Sequence, residues 1–163
     1  MLTTHVYMSR FSRSFDVAEL DVMCRHFARR NSETGITGVL MVIGDHFVQV
    51  LEGARDPVLD LVERILVDDR HGEFRTLYRG LVHERRFPNW SMRMMNLDQH
   101  YTVNDLAMTE LRRLVKTVIN SPVPSRTAMV QLLMAIPRVI ALDGNAEAVV
   151  RSAAVIDAVP TAP

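Results

Sequence analysis

The sequence of 163 residues lacks the features that mark several large classes of protein. Its single cysteine, Cys24, excludes an internal disulfide and is typical of a reducing compartment. The formal net charge is zero, which gives no indication of a nucleic-acid partner or of an anionic membrane. No apolar run approaches the about 18 residues that a membrane helix needs, and the N-terminus lacks a signal-peptide pattern. We therefore expect a cytoplasmic protein without a nucleic-acid or membrane partner.

Common catalytic and nucleotide-binding motifs are also missing. There is no Walker loop and no Gly-x-Gly-x-x-Gly, the six histidines are not spaced as metal ligands, and Cys24 has no neighbouring base. Nothing in the sequence supports Glu52 and Glu84 as a pair of catalytic acids. We therefore expect no enzymatic activity and no metal site. Hydrophobic residues nevertheless make up 48% of the chain, enough for a substantial globular core.

Alternating strands and helices are predicted for the first hundred residues. The strand patterns are residues 2–9, Val39–Ile43, Phe47–Leu51, 73–82 and 90–95. One helix is capped by Asp16 and runs to about Arg30, and another opens at Arg55-Asp56-Pro57. This β-α-β-β-α-β order with a fifth strand predicts an α+β, ferredoxin-like fold with its first and third strands side by side. Both helices then cover one face of the sheet, where a planar ligand can lie between them.

Two further helical patterns follow, at Val103–Ile119 and Ser125–Leu142. Pro137 lies inside the second pattern and should kink or end that helix, because proline lacks the backbone N–H. The Ala-, Val- and Pro-rich residues from roughly 152 onward are expected to be frayed. We divide the chain into a domain of residues 1–97, a helical extension of residues 98–152 and a flexible tail of residues 153–163.

Tyr7 and Gln49 are the main candidate functional residues. They lie on the two strands that the ferredoxin-like plan makes neighbours, so a phenol and a carboxamide could meet inside the core. Burying either without a partner costs about 1–3 kcal/mol, so each should bond to the other or to a polar ligand. Composition alone favours a simpler interpretation, a tyrosine with an exposed hydroxyl and a glutamine at the rim of the sheet.

Three other groups of residues could bind a ligand, although each also has a plain structural explanation. The Asn31 carboxamide presents a donor and an acceptor together, or simply ends a helix. Arg70 and His71 could lie against a ring that gains electron density, or form an ordinary surface pair. Trp90 and Met92 would share a strand face with Met94, either in the core or at an interaction surface.

Taken together and in order, these segments resemble the BLUF family, which senses blue light using flavin. The match covers about residues 2–95, and its Phe-x-Gln-x-Leu-Glu-Gly run is specific to that family. The region from Tyr101 onward resembles the two-helix extension of short, stand-alone members. The matching segments are Tyr7-Met8-Ser9, Arg29-Arg30-Asn31, the glycine-containing run 35–40, the run 47–53, Asp69-Arg70-His71 and the run 86–92.

The resemblance implies a non-covalent flavin, usually FAD, with FMN or riboflavin as alternatives, between the two helices. Excitation makes the flavin an oxidant, the tyrosine donates an electron and then a proton, and the glutamine rotates or changes tautomer. An added hydrogen bond to a flavin carbonyl then gives a red-shifted signalling state. The implied switch residues are Tyr7, Gln49, Trp90 and Met92. The implied cofactor-binding residues are Asn31 at the imide edge, Arg70 at the opposite carbonyl, His71 at the ring, and Ser9, Arg30 and Phe27.

Two positions depart from the family pattern. Phe27 stands where the family has a small polar residue, one turn before Asn31, and would point toward the cofactor region and crowd it. Arg30 stands where asparagine or histidine is usual, and could reach a phosphate. The main hypothesis is a photoreceptor that signals through its C-terminal helices to an unidentified partner protein and forms a homo-oligomer. The alternatives are a flavin-free interaction module derived from the family and an enzyme on a ferredoxin-like scaffold, with or without a flavin.

Overall fold

The computed structural model describes the backbone of residues 1–99 and 105–156, and the side chains of residues 1–99 and 106–142. Within these ranges the strands are β1 (Leu2–Phe11), β2 (Thr37–Ile43), β3 (His46–Ala54), β4 (His71–Val82) and β5 (Arg93–Asn96). The helices are α1 (Val17–Glu33), α2 (Arg55–Leu66), α3 (Asp105–Asn120) and α4 (Arg126–Ile156). This order is the one that the patterning predicts.

The strands form one mixed sheet in the order β4-β1-β3-β2-β5. β1 lies beside β3, and their antiparallel register places Tyr7 directly opposite Gln49. β5 is added in parallel to the free edge of β2, whereas the other pairings are antiparallel. The ferredoxin-like α+β fold with an added fifth strand and C-terminal helices is therefore confirmed.

Each face of the sheet carries its own apolar core, because successive residues of a strand point to opposite faces. One face packs against α1 and α2, and we call this the α1/α2 core; it includes Tyr7, Leu40, Phe47, Leu51 and Val58. The opposite face packs against α3 and α4, and we call this the α3/α4 core; it includes Val6, Met8, Val48, Leu111 and Ile136. The sheet is therefore the middle layer of three.

Helix α1 begins at the predicted cap. Asp16 Oδ1 accepts a hydrogen bond of 2.7 Å from the backbone N–H of Glu19, and the Glu19 carboxylate accepts one of 3.1 Å from the N–H of Asp16. This reciprocal capping box satisfies two backbone donors that a helix start otherwise leaves unpaired. The helix continues to Glu33, slightly past the predicted end, so Asn31 lies in its last turn. Gly35, with φ of 65°, then turns the chain into β2.

The last strand is shorter than predicted. The pattern 90–95 is wrong in its first three residues, because β5 starts only at Arg93 and leaves Trp90 and Met92 in the preceding loop. The Ser91 carbonyl of that loop accepts from the side chain of Asn31, at 2.9 Å, instead of from a neighbouring strand. Trp90 and Met92 consequently do not share a strand face. Met92 belongs to the α1/α2 core, whereas Trp90 packs against the α3/α4 core.

The last helix is longer than predicted, and of the two outcomes expected at Pro137, a kink or an end, the end is not observed. α4 does not end there but runs on to Ile156, and the buried residues Ile136, Val139 and Ile140 on both sides of the proline pack into the α3/α4 core. Packing of this kind overrides the local preference of one residue. The predicted start of the preceding helix at Val103 lies outside the described residues, as does most of the predicted tail, residues 157–163.

Candidate functional site

A cavity opens between α1, α2 and the sheet. It holds about 740 Å³ of empty space, counted out to its mouth and including space open to solvent. The apolar walls of the cavity are continuous with the α1/α2 core, and polar side chains from the sheet and both helices also line the cavity. Its lining includes Tyr7, Met23, Phe27, Arg30, Asn31, Leu40, Phe47, Gln49, Leu61, Arg64, Ile65, Asp68, Arg70 and His71.

Tyr7 and Gln49 are bonded to each other at the cavity wall. The Tyr7 hydroxyl donates a short hydrogen bond to Gln49 Oε1, and the two residues are only 1% and 4% exposed. Burial raises the pKa of Tyr7 far above its usual value, so the phenol is protonated and acts as the donor. The expectation that these two side chains meet inside the core therefore agrees with their observed positions.

Met92 extends this pair, whereas Trp90 does not. Gln49 Nε2 donates to Met92 Sδ at 3.2 Å, so both ends of the carboxamide are engaged and its orientation is fixed. Trp90 is not on the cavity wall; its ring packs against the α3/α4 core, with the Arg93 guanidinium 5.3 Å from the ring centroid. Three of the four predicted switch residues are thus in direct contact, and the fourth faces the other core.

Asn31 links α1 to the loop that carries Met92. It is buried, lines the cavity, and donates through Nδ2 to the backbone carbonyl of Ser91. A carboxamide has a second N–H and two acceptor lone pairs, so it can hold this loop and still present a polar edge to a ligand.

His71 and Ser9 form a second polar contact beside the tyrosine. His71, the first residue of β4, lines the cavity, and its Nδ1 lies 2.6 Å from Ser9 Oγ. Its ring centroid is 5.0 Å from that of Phe47 and 6.1 Å from that of Tyr7. Burial lowers the pKa of His71, which favours the neutral imidazole near pH 7. Ser9 is fully buried and is not part of the wall, so any effect on a ligand passes through His71.

Arg70 is held by an acidic neighbour. Its Nε donates to Asp68 Oδ1 at 2.8 Å, and its Nη2 makes a shorter bond to the other carboxylate oxygen. These bonds lower the pKa of Asp68 to about 2. The guanidinium carbon lies 5.3 Å from the centroid of the Phe27 ring. Arg70 therefore lines the cavity with its charge already paired, and a ligand carbonyl would share it with Asp68.

Phe27 and Arg30 complete the helix α1 side of the cavity. Phe27 is half-buried and its ring forms part of the wall, so the cavity remains open beside this departure from the family pattern. Arg30 is exposed and lines the cavity, as does Arg64 from the facing helix α2. Flat apolar walls, a phenol, two carboxamides and exposed guanidinium groups fit a planar heteroaromatic ring that carries a phosphate-bearing tail.

Several residues of the site were not singled out from the sequence. Phe74 stacks on Tyr7, with ring centroids 4.6 Å apart and an interplanar angle of 22°. Phe47 could have been found, because it lies two residues before Gln49 and so on the same strand face. Leu61 and Ile65 of α2 also line the cavity. No signal in the sequence indicates the role of Asp68.

Glu52 is a structural carboxylate. It is fully buried, accepts from the Arg86 side chain at 2.8 Å and from the Arg86 backbone N–H at 2.6 Å, and also accepts from Thr4. These contacts fasten the loop before β5 to β3. Within the parts of the chain that the structure describes, no cluster of His, Cys, Asp and Glu could hold a metal ion, and no helix is long and apolar enough to cross a membrane.

Comparison with known proteins identifies the family. A family model described as "Sensors of blue-light using FAD" matches residues 2–93. Over 92 residues the chain is 37% identical to the photoactivated adenylate cyclase subunit beta of Euglena gracilis, covering 56% of this chain and 11% of that protein. Over 100 residues it is 33% identical to the blue light- and temperature-regulated antirepressor BluF of Escherichia coli K12, covering 61% of this chain and 25% of that protein. The chain thus spans a quarter or less of these relatives.

Solved structures agree with this assignment. The dark-state structure of BlrB, a BLUF protein, is 31% identical and matches with a TM-score of 0.67 over 84% of this chain and 96% of that one. BlrP1 of Klebsiella pneumoniae, solved with FMN and cyclic diGMP, is also 31% identical, with a TM-score of 0.62 over 83% of this chain and 35% of that one. On the family match, the shared fold and the geometry of the cavity, this chain belongs to the BLUF family of blue-light sensors, which use FAD.

Proposed function

We propose that this chain is a blue-light receptor that holds FAD non-covalently in the cavity between α1 and α2 and signals by rearranging hydrogen bonds around Gln49. The observation that carries the proposal is the buried chain from Tyr7 through Gln49 to Met92 at the cavity wall. The family description names FAD. FMN and riboflavin share the same ring, and the groups that would face the ring do not distinguish among the three.

Each polar group has a role in holding the cofactor. Asn31 holds the imide edge with the donors and acceptors that Ser91 leaves unused. Arg70, while paired with Asp68, supports the opposite carbonyl. His71, neutral and fixed by Ser9, lies against the ring. Arg30, exposed on the cavity lining, meets a phosphate of the tail, and Phe27 serves as an apolar wall.

Tyr7 and Gln49 perform the switch. A bound flavin would absorb blue light and supply a strong oxidant beside Tyr7. Tyr7 would give up an electron to it and, because an oxidised tyrosine is strongly acidic, would pass its hydroxyl proton along the existing bond to Gln49 Oε1. Gln49 would pass an Nε2 proton on to the flavin, so that the electron and the proton of Tyr7 both have an acceptor. Gln49 then rotates or changes tautomer and gives up its bond to Met92 Sδ. A buried network has few fully satisfied arrangements, so exchanging one donor moves it between two discrete states.

The loop before β5 transmits the hydrogen-bond rearrangement out of the site. Met92 bonds to Gln49, the Ser91 carbonyl bonds to Asn31, and Trp90 packs against the α3/α4 core. Three consecutive residues therefore contact the switch, the cofactor helix and the α3/α4 core. We propose a sensory unit of residues 1–97 and an output extension of residues 98–152. The names of relatives, an adenylate cyclase and an antirepressor, support an effector partner as the recipient.

The rest of the proposal concerns the protein as a whole. The chain acts without catalysis of its own, in the cytoplasm, as a homo-oligomer that passes its signal to a separate partner protein. The family description, which is that of a sensor, supports the non-enzymatic role.

An absorption spectrum tests the proposal directly. Purified protein with excess FAD should show a flavin band that shifts to the red after blue light and recovers in darkness. Gln49→Leu should keep the flavin band and abolish the shift, because leucine has neither donor nor acceptor. Gln131→Leu, at an exposed position on α4, is the matched control and should shift normally.

Two outcomes would contradict the proposal. A colourless protein that rejects FAD would favour the flavin-free interaction module, and Phe27→Ser would then show whether the ring of Phe27 blocks the cavity. Turnover that is independent of light and is lost in Tyr7→Phe would favour the enzyme.

A further inference from the structure

Tyr7 is connected to the opposite face of the sheet by its neighbours in β1 and β4. On the cavity face, Tyr7 stacks against Phe74. The next residues of the same two strands, Met8 and Arg75, are paired across the β1–β4 ladder. Arg75 Nη2 donates to Met8 Sδ at 2.9 Å. Tyr7 therefore contacts Phe74 on the cavity face of the sheet. The next residues of the same strands, Met8 and Arg75, contact each other on the opposite face.

Arg75 continues from the sheet to the corner between α3 and α4. Its Nη2 donates to the carbonyl of Ile119 at 3.0 Å, and its Nη1 donates to the carbonyl of Pro122 at 3.1 Å. Ile119 lies in the last turn of α3, where carbonyls have no partner within the helix and a positive charge is favourable. Arg75 thus caps α3 and holds the turn that leads into α4. Bonds from a charged guanidinium are stronger than neutral ones.

β4 is irregular at this point. Its register with β1 shifts on both sides of the Tyr7–Met8 pair, between Val6 and Tyr7 and between Met8 and Arg10. Glu73 has a φ of 46°, in the left-handed region that is uncommon for residues other than glycine. β4 is also an edge strand, held by one neighbour only. Irregularities of this kind are frequent at sheet edges and beside active sites, where they redirect side chains.

We propose that Arg75 couples the Tyr7–Gln49 pair to the corner between α3 and α4, so that β4 is an output strand in addition to the loop before β5. The inference rests on the proposed light switch. When the bonds of Tyr7 rearrange, its packing against Phe74 changes, the start of β4 shifts, and Arg75 alters its hold on the Ile119 and Pro122 carbonyls. Arg75 is a positioning residue, since it does not line the cavity.

The chain supplies a matched control. Arg112 of α3 also bonds two backbone carbonyls, those of Leu97 and Gln99, in the turn after β5. Arg75 and Arg112 therefore tie the same helix to opposite edge strands by the same chemistry, and replacing each in turn separates the two routes.

The experiment measures two quantities on the same flavin-loaded full chain. The red shift measures whether the hydrogen-bond switch operates. The light-minus-dark difference in deuterium uptake over residues 119–124 measures the response of the corner between α3 and α4. Arg75→Met and Arg112→Met each keep an apolar stem, lose the donors, and should retain the red shift. Arg75→Met should reduce the uptake difference by about threefold or more, while Arg112→Met leaves it largely intact. Arg75→Lys should fall between wild type and Arg75→Met, because an ammonium cannot reproduce all the guanidinium's bonds.

Several results would overturn the proposal. One is a wild-type protein that shifts to the red without any uptake difference at residues 119–124. Another is an undiminished difference in Arg75→Met. If Arg75→Met fails to bind flavin in the dark, Arg75→Lys decides the question, and an undiminished difference there overturns the coupling. A wild-type protein without a red shift removes the proposed light switch itself and this inference with it.

Discussion

At the scale of single residues, His5 stands out on the cavity face of β1. It lies two positions before Tyr7 and is 3% exposed, and its Nε2 is 3.1 Å from Thr76 Oγ1. Its Nδ1 is buried without a hydrogen-bond partner. Burial, with a smaller contribution from the charge of Arg79, lowers the pKa of His5 to about 4. The folded protein therefore holds His5 neutral at a pH where an unfolded chain would already protonate it.

This difference predicts a pH-dependent stability. Because the folded-state pKa lies below the unfolded value of 6.5, the stabilisation is complete above that value and is lost as the pH falls toward 4. The loss amounts to at most about 3 kcal/mol. His5→Leu should make the free energy of unfolding decrease less steeply between about pH 7 and about pH 4.5, as measured by urea titration. The free energy of unfolding of the variant should still depend somewhat on pH, because the pKa of His71 is also lowered in the folded protein.

The exposed residue His83 provides the control. His83→Leu makes the same replacement outside the core, and its curve is the one with which that of His5→Leu is compared. Identical slopes for wild type and His5→Leu would show that His5 does not titrate differently in the two states.

Sequence motifs located some residues of the site and could not locate others. Tyr7, Gln49 and Asn31, which the family resemblance implies as site residues, all line the cavity, and the neighbouring strands of Tyr7 and Gln49 follow from the predicted strand order. Trp90 was assigned to the wrong face, because the carbonyl of Ser91 is bonded to the side chain of Asn31 and the strand starts only at Arg93. Phe74 was missed because register shifts interrupt the period of two between β1 and β4.

At the scale of elements, a glycine sets the distance between β2 and β3. A Cβ atom at Gly38 would lie 2.1 Å from the backbone carbonyl oxygen of Val50, far inside any real contact. The backbone of Val50 cannot move aside in the way that a flexible side chain could. The second glycine of the Gly-Ile-Thr-Gly run is thus required by close strand packing, whereas the first, Gly35, is required by its positive φ.

Gly38→Ala should therefore destabilise the protein by about 1–3 kcal/mol, because the added methyl forces β2 away from β3. The variant should also bind FAD more weakly, since Leu40 and Gln49 line the cavity from these two strands. Urea unfolding and flavin titration measure the two effects. Gly72→Ala is the control, because its Cβ would meet only the Arg10 carbonyl oxygen at an ordinary 3.8 Å. Equal stabilities of the two variants would contradict this account.

Helix α4 shows the limit of reasoning from one element at a time. A proline within a helical pattern predicts a kink or an end, and the periodic pattern, which continues past Pro137 to Leu142, does not indicate that the helix extends to Ile156. Apolar residues on both sides of Pro137 pack into the α3/α4 core, and that burial is a property of the assembled fold. The strands and the first two helices, which follow clear periodic patterns and caps, were predicted more closely.

At the scale of the whole molecule, the C-terminal helices and the sheet share one core. Leu132 of α4 is fully buried in the same cluster as Val6, Val48 and Val50 of the central strands. The helices therefore cover an apolar sheet face that would otherwise meet water, and they should not unfold independently of it.

Leu132→Ala should lower the free energy of unfolding by about 2–5 kcal/mol, the range for a buried leucine. Far-UV circular dichroism reports the helices, and fluorescence of Trp90, the single tryptophan, reports the loop beneath them. Both signals should change at the same urea concentration, as expected for one cooperative unit. Val130→Ala, at a position 47% exposed on the same helix, should change stability by about 0.5 kcal/mol or less. Two separate transitions would show that the helices form an independent unit.

The three-layer arrangement also determines how the chain tolerates substitution. Strand β2 is buried at all seven of its positions, because one face contacts α1 and α2 and the other contacts α3 and α4. In an ordinary surface sheet, tolerance of charged residues alternates along a strand with a period of two. Along β2 we expect no such alternation, so that all seven positions are intolerant of charged residues. Helix α3 is buried on one side only, so tolerant and intolerant positions should alternate along it with the helical period.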